Sequence, residues 1–445
     1  MQKVFNICFI LLFLVTASAW GQGSFRMADN QKKEVIKFKL ANNLMVIPIE
    51  VNGVELSFIL DTGVNKPILF NLFDSDTLQV KQVEEIYLKG LGEGEAIKAY
   101  RSKGNKFRMD GIYNPNQELY IVLDKEINFS PKLGIPVHGI IGYDLIKDFV
   151  LDINYVSKKI KFYRKGEYEY KECKKCEEFD LELFRNKPYL KSKVTIENSE
   201  EIDVKLLIDT GSSDALWLFK DEEKGIKIPT RKFEDFLGRG LSGSIFGERS
   251  RVDNFRVGSF GLKDAKVSFP DSLSIQFVRN MNNRNGSVGA EILKRFHMVL
   301  DYSSNKVTLR KNSNFKDPFK YNMSGIEVQH NGIRLVRELA SNINGVVARN
   351  ESDATGTVKV VLTEQFKFSL HPSFEIAELR ENSPAALAGL KIGDVLLSIN
   401  GKQTHRYSLQ EVNELLNERV GKKIRLTIDR KGVELRFFFE LKRVL

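Results

Sequence analysis

The sequence predicts a mainly β fold: a bilobal barrel of two homologous halves, followed by a smaller α+β domain. Three observations carry this. Short apolar runs rich in Val, Ile and Phe alternate with Gly, Asn and Ser punctuation up to about residue 312. One set of motifs occurs twice in the same order within that stretch. From about Pro318 the pattern changes, and helix-capping and hairpin signals appear side by side. A chain of 445 residues is long enough for two or three domains with cores of their own.

The repeat sets the architecture of the first part. Ser57-Phe58-Ile59-Leu60-Asp61-Thr62-Gly63 matches Lys205-Leu206-Leu207-Ile208-Asp209-Thr210-Gly211. An apolar run follows each triplet, Ile68-Leu69-Phe70 in one copy and Leu216-Trp217-Leu218-Phe219 in the other. Residues 139–162 then match 286–309 without a gap, with Gly142 against Gly289, Phe149 against Phe296 and Asn154-Tyr155 against Asp301-Tyr302. The copies are expected over 36–165 and 177–312, joined by a charged stretch, 164–178. Strands are expected at 44–51, 119–123 and 306–310, and brief helices at 143–147 and 290–294.

Composition narrows the function classes. Hydrophobic residues make up 42% and charged residues 28%, which excludes a disordered chain. The net charge is +10, yet Lys and Arg are scattered without a block of five or six like charges. No nucleic-acid motif is present, so nucleic acid is not expected as a partner.

The N-terminus reads as a signal peptide over 1–21. Lys3 supplies the positive charge, 4–15 is almost wholly apolar, and cleavage is expected after Ala17-Ser18-Ala19 or after Gly21. Cys8 lacks a small residue before it, which argues against a lipid anchor. No later stretch approaches the ~18 apolar residues of a membrane span. The mature chain is therefore expected to be exported, periplasmic or secreted, without a transmembrane segment. Cys173 and Cys176 then form the expected disulfide. A redox site would need a βαβ context, and a structural zinc would need a second cysteine pair.

One Asp-Thr-Gly triplet is weak evidence, since chance supplies it in roughly one chain in ten of this size. Two at equivalent repeat positions, about 148 residues apart, are far stronger. Two carboxylates held about 3 Å apart share one proton, as is established for aspartic proteases as a class. One carboxylate then acts as base toward water and the other as acid toward a carbonyl. Gly63 and Gly211 let each loop turn sharply and bring amides to the carboxylate. Thr62 and Thr210 are placed to lock the two loops together.

These motifs resemble the halves of pepsin- and retropepsin-type aspartic peptidases over about 36–312. The resemblance implies a catalytic pair, Asp61 and Asp209, supported by Thr62, Gly63, Thr210, Gly211 and Ser212. It implies a peptide or protein substrate and no metal or organic cofactor. Ile140-Ile141-Gly142 and Ser287-Val288-Gly289 match the family's apolar-apolar-Gly element, the second with a departure at Ser287. Gly90-Leu91-Gly92-Glu93-Gly94 and Gly240-Leu241-Ser242-Gly243 stand where the family carries a glycine-rich flap, making Gly90, Gly92, Gly240 and Gly243 its candidates. Both triplets lie in one chain, so a monomer suffices. The copies also differ: Val64-Asn65 follows one triplet and Ser212-Ser213 the other. A hydrogen bond from the Ser212 hydroxyl is expected to ease ionisation of Asp209, leaving the proton on Asp61.

The last part, 318–445, resembles a PDZ domain. The match runs from about residue 373 through Ser383-Pro384-Ala385-Ala386-Leu387-Ala388-Gly389-Leu390 and Gly393-Asp394-Val395-Leu396 to Asn400-Gly401. A helix is expected after Ser383 and another at 408–418. The resemblance implies capture of a C-terminal peptide, with Gly325 and Ile326 in the carboxylate-binding loop. About forty residues separate them from Phe374, which implies an insertion. The expected function is an exported aspartic endopeptidase whose PDZ domain recruits substrate C-termini. The rival is a catalytically silent extracytoplasmic peptide-binding protein that keeps the triplets.

Overall fold

A computed structural model describes residues 23–70, 78–124, 127–170, 172–279, 281–339 and 366–445. The expected signal peptide, 1–21, lies outside the described residues, as does 340–365 within the expected insertion. The chain divides into two compact units, the first holding both repeat copies except 129–135, and the second comprising 129–135 and 321–444.

In the first unit each copy builds its own sheet. Leu44–Val51 pairs with Val54–Leu60 through Asn52-Gly53, whose φ angles of 50° and 92° suit a tight hairpin that keeps the strands' twist. Val54–Leu60 delivers the chain to Asp61. Gly139–Ile141 runs parallel beside it, Ile141 opposite Leu60, and Ile68–Leu69 flanks Gly139–Ile141 on its other side. The second copy repeats the pattern: Ile202–Asp209 lies parallel to Gly286–Gly289, with Asp209 opposite Gly289, and Leu216–Leu218 flanks that strand. Each Asp-Thr-Gly loop thus leaves a buried strand held on both sides.

A third, six-stranded sheet draws on both copies. Phe149–Asn154 pairs antiparallel with Phe296–Asp301, its counterpart, and Asp152 faces Val299. The repeat alignment sets Gly142 against Gly289, an offset of 147, which also relates Asp152 to Val299. Equivalent residues therefore meet where the two copies exchange places. Leu151, Ile153, Met298 and Leu300 from these strands are essentially inaccessible. Burying such side chains stabilises by roughly 1.5–3 kcal/mol each, which holds the halves in register.

The expected strands at 44–51 and 306–310 appear as Leu44–Val51 and Lys306–Lys311. The apolar run at 119–123 is only the end of a longer strand, Ile112–Ile121. That strand folds back on Ile97–Met109 through Asp110, whose φ of 47° places it in the left-handed region. The brief helices are single turns, Tyr143–Ile146 and Ala290–Leu293. Cys173 and Cys176 are disulfide-bonded, their Cα atoms 5.3 Å apart.

The second unit is a six-stranded antiparallel sheet with two helices. Ser383 caps Pro384–Leu387 by accepting the Ala386 amide, and Gly389 leaves the helix at a φ of 97°. Leu409–Leu415 opens with a reciprocal box between Ser408 and Glu411 and is shorter than the expected 408–418. Its Leu409 and Val412 pack with Phe374, Ile376 and Leu426. Asn400 and Gly401, at φ 52° and 88°, turn Val395–Ile399 into Lys402–Gln403.

Candidate active site

The two triplet loops meet and interlock. The Thr62 amide donates to Thr210 Oγ1 at 3.1 Å, and the Thr210 amide donates to Thr62 Oγ1 at 3.1 Å. Each hydroxyl then donates to the strand before the opposite triplet, Thr62 to the Ile208 carbonyl at 2.5 Å and Thr210 to the Leu60 carbonyl at 2.7 Å. Both threonines are buried, so all four bonds are shielded from water.

This lock brings the carboxylates together. A Cβ built on Gly211 would fall 2.2 Å from Asp61 Oδ2, and one on Gly63 would lie 3.0 Å from Asp61 Oδ1 and 3.6 Å from Asp209 Oδ1. At Gly211 any larger residue would displace Asp61. The Gly63 amide donates to Asp61 Oδ1 at 2.6 Å and the Gly211 amide to Asp209 Oδ1 at 3.1 Å. Beneath the loops, a Cβ on Gly142 would lie 2.0 Å from the Asp61 carbonyl and one on Gly289 2.3 Å from the Asp214 carbonyl. These contacts give the apolar-apolar-Gly element its reason for glycine.

Burial, then the neighbouring charge of Asp209, pushes the Asp61 carboxyl up to about 7. Burial also raises Asp209, but Arg284, then Lys187, then the Gly211 and Ser212 amides oppose the rise. Lys187 lowers Asp61 as well, so the asymmetry rests first on Arg284, which opposes the rise at Asp209 alone, and not on the expected hydroxyl. Among the described residues the Ser212 hydroxyl makes no hydrogen bond to Asp209. The tight loop presents the Ser212 backbone amide instead, while its carbonyl accepts from Ala290 at 2.8 Å.

The four flap candidates come together at the tips of two hairpins. One joins Glu84–Leu88 to Ile97–Met109, and the other joins Phe233–Gly240 to Gly243–Val257. The Gly90 amide donates to Ser242 Oγ at 3.0 Å, the Ser242 amide to the Leu91 carbonyl at 3.0 Å, and the Gly94 amide to the Ser242 carbonyl at 2.7 Å. Gly92 and Gly243 have φ of 118° and 115°, which a side chain would oppose. A Cβ on Gly240 would lie 2.1 Å from the Leu91 carbonyl.

Residues 47–145 and 192–292 each match the aspartyl protease family, and residues 375–430 match the PDZ domain. The chain carries two copies of an aspartyl protease domain and one PDZ domain. Over 61 residues it is also 41% identical to a protein of Agrobacterium fabrum named "Putative zinc metalloprotease Atu1380". That alignment covers 14% of this chain, and the chain spans only 16% of the length of that protein.

Several side chains around the candidate site escaped the sequence reading. Asp214 is mostly buried and accepts from Trp217 Nε1 at 2.7 Å and Arg249 Nη1 at 2.9 Å. Arg249 Nε in turn donates to Asp235 at 2.7 Å, tying the second triplet's loop to the second hairpin. Tyr302 is buried within electrostatic reach of Asp61 and stacks on Tyr143 with ring centroids 6.1 Å apart. Lys187 and Arg284 stand beside the carboxylates. A comparison of the copies would have flagged Arg284, because the repeat offset of 147 pairs it with Val137.

In the PDZ domain, Gly325 has a φ of 81°, and a Cβ there would meet Ser383 at 2.1 Å. The candidate loop's amides are already engaged. Those of Ser324 and Gly325 donate to Asn322 Oδ1 at 3.1 and 2.9 Å, and that of Ile326 donates to Ser324 Oγ at 3.2 Å. Gly325 and Ile326 thus present no open donor to a carboxylate in this arrangement, because Asn322 takes the acceptor's place. Ile326–Leu339 is an edge strand of the sheet. The helical turn Ser130–Leu133, which clusters with this unit, lies beside that strand, and Gly134 packs on Leu409 and His330.

One group among the described residues places three metal-type ligand atoms within 4.8 Å of one another: Glu338, His371 and His405 in the PDZ unit. The two imidazoles stack with centroids 4.3 Å apart, and Arg406 donates to Glu338 at 3.2 Å. Stacked rings and an adjacent guanidinium disfavour a cation there.

Proposed function

We propose that the protein is an exported aspartic endopeptidase in which Asp61 and Asp209 share one proton and activate a water molecule. Asp209, flanked by Arg284 and Lys187, is the member that ionises more readily, and it takes a proton from water as the oxygen attacks the scissile carbonyl carbon. Asp61 gives its proton to the carbonyl oxygen, producing a tetrahedral diol. Asp209 then gives its proton to the amide nitrogen, and as the C–N bond breaks Asp61 takes a proton from a diol hydroxyl, which leaves the pair with one shared proton again. The hairpin tips around Gly92 and Ser242 act as the cover that excludes water from the cleft. The PDZ domain supplies a peptide-binding surface that recruits substrate. Export is supported by the charged and apolar N-terminus and by the Cys173–Cys176 disulfide.

The observation that carries this reading is the reciprocal threonine lock, which holds two carboxylates in contact distance of the same glycines. The test is hydrolysis of a mixed peptide library from pH 3 to 8 by the mature chain and by Asp61→Asn and Asp209→Asn. Cleavage by the parent chain and loss of at least about 1,000-fold in each variant is expected. Cleavage that survives both substitutions sinks the mechanism.

A further inference from the structure

The two copies differ where charge matters most. In the first half, the Leu44–Val51 strand pairs with Val54–Leu60 so that Val46 faces Ile59. Two steps further along, the same register sets Leu44 opposite Asp61. In the second half Tyr189 faces Leu207, and two steps further Lys187 falls opposite Asp209. Both strands begin directly after a turn of two left-handed residues, Asn42-Asn43 at φ 44° and 70° and Arg185-Asn186 at φ 48° and 66°. Leu44 and Lys187 are therefore equivalent positions. Val137 and Arg284 are a second such pair, since the residues after them, His138 and Asn285, donate amides to Ser57 and Lys205. Two apolar, fully or nearly buried residues in the first half are replaced by two cations in the second.

Neither cation is spent on a structural ion pair among the described residues. Arg284 is 6% exposed, its Nε donates to the Gly286 carbonyl at 2.8 Å, and its guanidinium lies 5.2 Å from the Phe219 ring centroid. Among the described residues that leaves its terminal nitrogens without a protein acceptor. Phe219 packs with Ile275 and Val278 against Leu91 of the first hairpin tip, so Arg284 borders a ring that reaches the cover while its charge is felt by Asp209. The charged groups that act on Lys187 are Arg284, Asp61 and Asp209. A dyad sharing one proton carries a single negative charge. Two cations beside it leave one positive charge in excess, in a place where low dielectric makes that charge count.

We propose that Lys187 and Arg284 form an anion-selecting subsite beside the dyad, so that the cleft takes peptides with an Asp or Glu side chain next to the scissile bond. The carboxylate of that side chain accepts from the free end of Arg284 and completes the charge balance that the protein leaves open. Arg284 and Lys187 are positioning and specificity residues in this scheme, which rests on the peptidase reading above.

The test uses peptide pairs that differ only by Glu or Gln at each position flanking the scissile bond. For the parent chain, kcat/KM is expected to favour Glu over Gln by about 10-fold or more at one position, with the ratio shrinking as salt rises. Arg284→Met and Lys187→Gln are each expected to bring the ratio towards one, and Arg284→Lys to restore part of it. Thermal melts identify any variant that fails to fold, and Lys187→Gln reports independently of Arg284→Met. A parent ratio of one at every position overturns the inference, as does a ratio that survives both substitutions. Cations that serve only to tune the dyad would shift the pH profile and leave the ratio at one. The same pairs are measured for binding by calorimetry. Selective binding of the Glu peptides without cleavage upholds the subsite and sinks the peptidase reading; unselective binding without cleavage sinks both.

Discussion

At the scale of single residues, the site is two identical triplets in unequal surroundings. Lys187 acts on both carboxyls, while Arg284 acts on Asp209 alone. The proposed mechanism assigns its proton to the carboxyl raised to about 7, so activity is expected to fall as pH rises through that region, with an upper limb near pH 7 in kcat/KM. Linkage gives a second consequence. A carboxyl raised on folding favours the native state at low pH, and that contribution is lost as pH climbs from the unfolded value near 4 through the folded one. Asp61→Asn removes the penalty of a buried charge. Its melting temperature is therefore expected to exceed the parent's at pH 8 and to match it at pH 4; the reverse order would contradict the buried placement of Asp61. The sequence displayed both carboxylates and their inequality, but attributed the inequality to Ser212. The group that distinguishes them, Arg284, lies just before the Gly286–Gly289 strand, and only tertiary packing brings it to Asp209.

At the scale of elements, the threonine lock and the Asp214–Arg249–Asp235 chain hold the loops. Thr62→Val removes a hydroxyl that donates to one buried carbonyl and accepts from one buried amide, leaving both stranded. The expected cost is about 2–4 kcal/mol, read by denaturant unfolding, and a value under about 0.5 kcal/mol would show that the lock carries no stability. Arg249→Met takes the guanidinium from two mostly buried carboxylates and is expected to cost about 3–5 kcal/mol. The strands around the triplets were legible because their signals are local, β-branched runs between turn residues, and in the second unit the Ser383 cap and the Asn400-Gly401 turn were equally local. The hairpin tips were legible only as glycine-rich segments. That Gly92 of one copy packs on Ser242 of the other depends on contacts between residues about 150 positions apart, which no local pattern encodes. Similarly, Gly325 was recognisable as a left-handed loop glycine, but Asn322's capture of the adjacent amides follows from one side-chain rotamer.

At the scale of the whole molecule, duplication explains why one chain suffices. The six-stranded sheet joins the copies where Asp152 meets Val299, and the carboxylates face each other because equivalent strands deliver them. Both acids belong to the same chain, so specific activity is expected to be independent of protein concentration. A fall on dilution would mean that a second chain completes the site. The duplicated order of motifs made this architecture readable from the sequence, and its offset pairs Arg284 with Val137, whereas the equivalence of Leu44 and Lys187 required strand registers from the structure. The central claim is that Asp61 and Asp209 work as one pair. It is tested most directly by measuring peptide hydrolysis by the parent chain, Asp61→Asn, Asp209→Asn and the double variant at one pH. The account predicts that either single substitution abolishes cleavage as completely as both together. Retention of substantial cleavage by either single variant, or no cleavage by the folded parent chain alongside retained peptide binding, would contradict it.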